Sequence, residues 1–219
     1  MNKKLLWVDN LRAFATFAVI LLHVSAPILY KYGSISNFSW WIGNIYDSSV
    51  RFCVPIFLML SGALMYPKTY ELSDFFKKRF SRILFPFVFW SLVYILHDLS
   101  IKFYNGDVMT MKEIAVVIFT KVKDGASYHL WYIYMLIGIY MIFPIFQKWI
   151  NNSTKKDIMY YLLVWGIVII IGLPFFNRFK MNIDFRYFSG FLGYTILGYF
   201  LAVKVEVYKK IIPLHPLCI

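Results

Sequence analysis

Residues Trp7–Tyr30 read WVDNLRAFATFAVILLHVSAPILY, an apolar run interrupted only by Asp9, Arg12 and His23. A helix rises about 1.5 Å per residue and the hydrocarbon core of a bilayer is about 30 Å thick, so this run is long enough to cross it. Backbone N–H and C=O groups in lipid must be satisfied within the segment. The run therefore predicts a membrane-spanning helix.

The rest of the chain has the same character. Its 219 residues are 60% apolar, 21% aromatic and only 16% charged, and the mean hydropathy is +0.63. A soluble domain averages about 45–50% apolar and about 25% charged residues. So much apolar surface cannot all be hidden inside a soluble globule, and we expect membrane lipid to surround the protein.

Further apolar runs predict an all-α, polytopic transmembrane helical bundle of about six spans, forming one domain over residues 1–219. A shorter run, Glu113–Thr120, cannot span a bilayer and is expected to lie at the interface or to pack on the bundle. The six predicted spans are Trp7–Tyr30, Val50–Tyr66, Ser81–Leu99, Leu130–Gln147, Ile158–Phe176 and Tyr187–Val203.

The net charge of +12 comes from short basic clusters between the apolar runs. With the N-terminus inside, fourteen Lys and Arg residues lie on the cytoplasmic face and nine, Arg51 among them, on the outer face. This asymmetry favours a cytoplasmic N-terminus. The basic residues form no stripe on a polar domain, so nucleic acid is not an expected partner.

Arg12 and His23 are eleven residues apart in the first predicted span. On a helix this spacing returns to within about 20° of the same face and separates the residues by about 16 Å along the axis. Ionisable groups at such depth usually face a bundle interior or a wet cavity. The alternatives are that Arg12 reaches the inner headgroups and pairs with Asp9, and that His23 is a neutral packing residue.

A second feature is the segment Phe75–Pro86, FFKKRFSRILFP, which places Arg79 and Arg82 one turn apart. Guanidinium groups bind phosphate through paired donors, so the pair suits a phosphorylated cofactor arriving from the cytosol. Ordinary anchoring of the helix by positive charge on the cytoplasmic side is the alternative.

A third feature is Tyr128-His129-Leu130-Trp131 at the outer end of the fourth predicted span. His129 would enter from the side that His23 approaches, although an aromatic belt at the interface explains these residues equally well. The chain contains no HExxH, GxSxG or Walker motif and no Cys/His cluster, so no metal is expected.

Four stretches, in this order, resemble the integral membrane acyltransferase 3 family, bacterial O-acyltransferases that modify surface polysaccharides. The Arg79 and Arg82 pair also matches a basic pair that members often carry before their third helix. Members usually have about ten spans, so the last spans are expected to be missing here. The stretches are Trp7-Val-Asp-Asn-Leu-Arg12 followed by His23, Val54-Pro-Ile-Phe-Leu-Met-Leu-Ser-Gly62, Tyr128-His-Leu-Trp131 with Pro144 downstream, and Gly190-Phe-Leu-Gly-Tyr-Thr-Ile-Leu-Gly198.

The resemblance implies transfer of an acyl group, most often acetyl, from cytosolic acyl-CoA to a hydroxyl of a surface glycan or its lipid-linked precursor, in the bacterial inner membrane. It implies that Arg79 and Arg82 hold the CoA phosphates. Arg12 would position the donor or stabilise charge on its carbonyl oxygen, and His23 would be the general base or a transient acyl carrier. The supporting residues, at the acceptor or around the site, would be His129, Asp9, Trp131 and Ser61.

Two other functions fit the same residues. A transporter or flippase could move a glycan precursor along a polar passage without making covalent bonds, and a structural subunit would need no site at all. Consumption of acyl-CoA coupled to acceptor modification separates the enzyme from both. The acceptor, the length of the acyl chain and the oligomeric state are left open by the residues.

Overall fold

A computed structural model describes residues 5–125, 127, 130–173 and 190–205. Within these residues all regular structure is helical, which confirms the all-α class. A π-helical turn, Phe200–Lys204, continues the last helix. The helices are α1 Leu6–Leu29, α2 Asn37–Val50, α3 Cys53–Met65, α4 Leu72–Tyr104, α5 Met111–Asp124, α6 Trp131–Asn152, α7 Lys155–Ile171 and α8 Leu192–Tyr199.

Four segments are long and apolar enough to cross a membrane: α1, the combined segment Asn37–Met65, α4 and α6. They confirm four of the six predicted spans. The fifth corresponds to α7, which has 17 residues, and its predicted end at Phe176 lies outside the described residues. The sixth contains the short apolar helix Leu192–Lys204, and its predicted start at Tyr187 also lies outside them. These two spans stay predictions.

The helical segment that contains the second predicted span, Val50–Tyr66, begins earlier, at Asn37, and its 29 residues are more than a bilayer core requires. α2 is polar enough to look like a connection, but its Gly43 and Asp47 are buried. Arg51 lies between α2 and α3 within this segment, and its position on the outer face stays a prediction. Both the Arg51 and Phe52 backbones are right-handed helical, so the break between α2 and α3 is small.

The chain divides into two compact units, Met1–Thr69 with Gln147–Ile219, and Tyr70–Phe146. In the first unit α1 and α2 form an antiparallel hairpin. Val50 and Cys53 are buried against Ala18, and Gly43 is so close to α1 that an added Cβ would lie 2.5 Å from Ile28 Cγ2. The Trp40 indole N–H donates to the Leu29 carbonyl oxygen (3.2 Å) near the turn.

α3 and α8 cross with their backbones almost touching. A Cβ added at Gly62 would lie 1.8 Å from the Thr195 carbonyl oxygen, and one added at Gly198 would lie 2.0 Å from that of Met59. Membrane helices associate mainly by van der Waals packing, which such small residues permit. The second and fourth of the four resemblance stretches thus pack against each other.

A buried hydroxyl pair accompanies this crossing. The Thr195 hydroxyl donates to the Leu192 carbonyl oxygen (2.7 Å), so the Tyr66 hydroxyl, 3.0 Å away, must be the donor to Thr195 Oγ1. The Tyr66 ring also meets Tyr199 edge to face at 5.7 Å. The hydroxyl groups of Tyr66 and Thr195 therefore both have a hydrogen-bond partner, as a water-poor interior requires.

In the second unit α5 packs on α4. Ile114 and Val117 contact the buried Ile95 and Leu99, and Lys121 Nζ lies 2.5 Å from Asp98 Oδ2. With 14 residues α5 is too short to span, and its packing fits one of the two predicted placements. At its start the Thr110 backbone N–H and hydroxyl donate to the Glu113 carboxylate and hold the pKa of Glu113 below its usual range.

The α3–α8 crossing predicts a large effect of one methyl group. Gly62→Ala should lower the free energy of unfolding by about 1–3 kcal/mol or more, because the obstructing atoms are backbone atoms that cannot rotate away. Gly166→Ala in α7 is the matched control, since nothing lies within 4 Å of an added Cβ there. Thermal unfolding of the purified proteins in detergent measures both. Equal stability of the two variants would contradict the crossing.

Candidate active site

The first span presents one packed face to its neighbours. Its buried residues are Val8, Ala15, Ala18 and Ser25, which share one side of the helix. Arg12 and His23 lie about 90–110° around the helix from the centre of that side and about 16 Å apart along the axis. They therefore share the flank of the packed face, as the spacing predicted.

Arg12 pairs with Asp9, as one of the two sequence interpretations expected. Arg12 Nη1 lies 3.8 Å from Asp9 Oδ1, and the two side chains are 51% and 55% exposed. The Arg12 carbonyl oxygen accepts from the Thr16 hydroxyl (2.8 Å). An exposed ion pair of this kind contributes about 0–1 kcal/mol. The pair is weak enough for Arg12 to exchange Asp9 for a ligand.

His23 and Ser61 are both half-buried. His23 is in the last third of α1, and Ser61 is in α3, where its hydroxyl donates to the Phe57 carbonyl oxygen (2.8 Å). A serine bonded to its own helix in this way has no activated hydroxyl.

A second ion pair in the first unit was missed by sequence reasoning. Arg51 Nε and Nη2 lie 2.7 Å and 2.6 Å from the same Asp47 oxygen, Oδ2. The Asp47 side chain is only 3% exposed, whereas that of Arg51 is 68% exposed. The signal was present in the sequence: an Asp and an Arg four residues apart, immediately before an apolar run.

The basic pair Arg79 and Arg82 lies on α4 in the second unit. Arg79 Nη2 donates to the Tyr70 hydroxyl (3.1 Å), and its Cζ lies 5.7 Å from the centre of the Tyr70 ring. Arg79 is half-buried and Arg82 is exposed. Tyr70 leans on the buried Phe75 (5.7 Å), which stacks on Phe143 (5.3 Å). A packed aromatic cluster therefore holds Arg79, while Arg82 faces outward.

His129 lies outside the described residues. Trp131 begins α6, is 44% exposed and meets the Tyr132 ring edge to face at 6.3 Å. No group of three or more His, Cys, Asp or Glu side chains in the described ranges lies close enough to hold a metal ion. The site residues that the structure describes are therefore guanidinium, imidazole, carboxylate and aromatic groups.

The family model of the acyltransferase domain, Acyl_transf_3, matches residues 5–219. The chain belongs to the acyltransferase 3 family. Neither a curated protein nor a solved structure is significantly similar to it. Family membership makes the protein an acyltransferase, and the four apolar segments make it a multi-pass membrane protein.

Proposed function

We propose that this acyltransferase carries an acyl group, acetyl in the first instance, from cytosolic acyl-CoA to a glycan hydroxyl. The acceptor is a surface glycan or its lipid-linked precursor, and the site is the bacterial inner membrane with the N-terminus in the cytoplasm. One observation supports this most directly: Arg12 and His23 share one flank of the first span at different depths. Ionisable groups so placed are expensive in lipid and mark substrate paths.

His23 acts as the general base on the acceptor hydroxyl. The hydroxyl oxygen attacks the thioester carbonyl carbon and gives its proton to the imidazole. The carbon–sulfur bond then breaks, and the leaving CoA thiolate takes that proton, so an ester and free CoA result. Histidine suits this role because its charge changes near neutral pH. Such proton transfer is typically worth about 10²–10⁴-fold in rate.

Arg79 and Arg82 bind the CoA phosphates at the cytoplasmic surface. Two guanidinium groups one turn apart can grip the same phosphate group through paired donors. Tyr70 supports this role, since it fixes Arg79 through both its hydroxyl and its ring. Arg12 positions the donor, and His129, Asp9 and Trp131 support the acceptor or the site.

Replacement of His23 tests the base. His23→Ala should lower acyl transfer to a hydroxyl acceptor by about 10²–10⁴-fold, because no other group takes the proton. His97→Ala is the matched control, since His97 is 67% exposed and its Nδ1 lies 3.7 Å from Asp98 Oδ1. Release of CoA and formation of the ester are measured together in purified membranes. Activity of the His23 variant within about twofold of the parent would reject the role.

Replacement of the basic pair tests donor binding. Arg79→Ala with Arg82→Ala should raise the KM for acyl-CoA by about tenfold or more, because phosphate contacts of this charged kind are each worth about 1.5–3 kcal/mol. Lys77→Ala with Lys78→Ala removes the same charge from the same helix turn and should leave the KM nearly unchanged. An equal rise in both double variants would mean that only net charge matters.

A further inference from the structure

The Asp47–Arg51 pair joins a buried group to an exposed one. Asp47 is the only carboxylate that is buried among the described residues, whereas the Arg51 side chain is 68% exposed. A guanidinium carries five N–H donors, and Asp47 engages only Nε and Nη2. The Arg51 guanidinium therefore keeps donors for a further partner.

The register of the α1–α2 hairpin sets the depth of this pair. Gly43 lies against Ile28. About two helical turns after Gly43, Val50 packs with Ala18 and Leu22. Interpolation between these contacts places the Asp47 backbone level with His23. Because Arg51 bonds to Asp47, its guanidinium lies less than one helical turn, about 5 Å, from that level.

The direction of the side chains further reduces the difference in depth between the Arg51 guanidinium and the His23 imidazole. Helical side chains point toward the N-terminus of their own helix. Arg51 does so in reaching back to Asp47, and in the antiparallel α1 His23 leans the opposite way. The guanidinium and the imidazole therefore converge on one depth.

The two groups also lie on the same side of the hairpin. His23 on α1 and Arg51, just past the end of α2, are displaced in the same sense from the faces in contact, by about 120° and about 75–100°. In an antiparallel pair, residues displaced in the same sense point to the same side. Phe14 is displaced in the other sense, and its ring stacks on that of Phe52 at 5.5 Å.

Arg12 cannot serve a carbonyl that is under attack beside His23. Their backbones are about 16 Å apart along the axis, and both side chains lean in the same direction, so the gap does not close. We propose, resting on the function proposed above, that Arg51 donates hydrogen bonds to the thioester carbonyl oxygen during transfer, with Asp47 positioning its guanidinium. When the acceptor oxygen bonds to the carbonyl carbon, the displaced electron pair moves onto that oxygen. This electron pair re-forms the carbonyl double bond when the carbon–sulfur bond breaks.

Kinetics of purified variants test this role. Arg51→Ala should lower kcat by about 10²–10³-fold with little change in the KM for acyl-CoA, because the contact strengthens only as charge develops. Arg51→Lys keeps the charge but loses the planar fork, and should also lower kcat. Asp47→Asn should lower kcat less. Asp74→Asn is the matched control, since Asp74 and Lys78 form an exposed pair with the same i,i+4 spacing.

Arg51→Lys also guards against misfolding, because a lysine can still pair with Asp47. A kcat within about twofold of the parent for well-folded Arg51→Ala or Arg51→Lys would overturn the proposal. A raised KM at unchanged kcat would equally overturn it, since it would assign Arg51 to ground-state binding.

Thiol accessibility tests the placement without any assay of transfer. The background chain carries Cys53→Ala and Cys218→Ser, so that the introduced cysteine is the one that reacts. Arg51→Cys should then react with a charged methanethiosulfonate at least about tenfold faster than Phe14→Cys, because thiolates form and react in water. Phe14 is the control because it has a similar depth on the other side of the hairpin. Equal rates would overturn the placement of Arg51. Absence of acyl transfer by the parent chain would instead overturn the proposed function.

Discussion

The high cost of a lone charge in hydrocarbon governs the arrangement of this protein. In the described residues, acidic side chains on three of the candidate spans have a basic partner, as in Asp47 with Arg51 and Asp98 with Lys121. Pairing lowers the cost, but the exposed half of each partner still needs water or protein. The side of the α1–α2 hairpin that carries Arg12 and Arg51 is therefore the one proposed above to meet substrate, and the side with Phe14 suits lipid.

Packing in the first unit, Met1–Thr69 with Gln147–Ile219, depends on the close approach of helix backbones. Lipid tails are as apolar as leucine, so helices gain little by hiding apolar side chains from them. Contact area must come from glycines, as at Gly62 and Gly198, or at Gly193, which lies under the Trp165 ring. The glycines shared with the acyltransferase 3 family in these stretches are thus explained by packing. In the function proposed above, the chemistry belongs to charged residues on other helices, such as Arg12 and His23 on α1.

Hydropathy predicted the mostly apolar spans. It did not predict helix bounds where polar side chains are covered by a neighbouring helix. The helix that carries the second span extends back to Asn37, and hydropathy did not predict this extension because α2 contains Asp47 and a window average cannot know that a partner helix covers that carboxylate. The Arg12–His23 stripe was predictable, since it depends only on spacing within one helix. The level of Arg51 with His23 was not, because it depends on the register between two helices.

That register is set far from the proposed chemistry. Gly43 admits Ile28 at van der Waals contact, and the Trp40 indole ties the turn to Leu29. A side chain at Gly43 would force α2 away from α1 or shift it by a turn, about 5.4 Å. Such a shift exceeds the reach of a hydrogen bond, so Arg51 and His23 would no longer meet at one depth. In the mechanism proposed above, a glycine with no chemistry of its own therefore sets the register that brings the two groups to one depth.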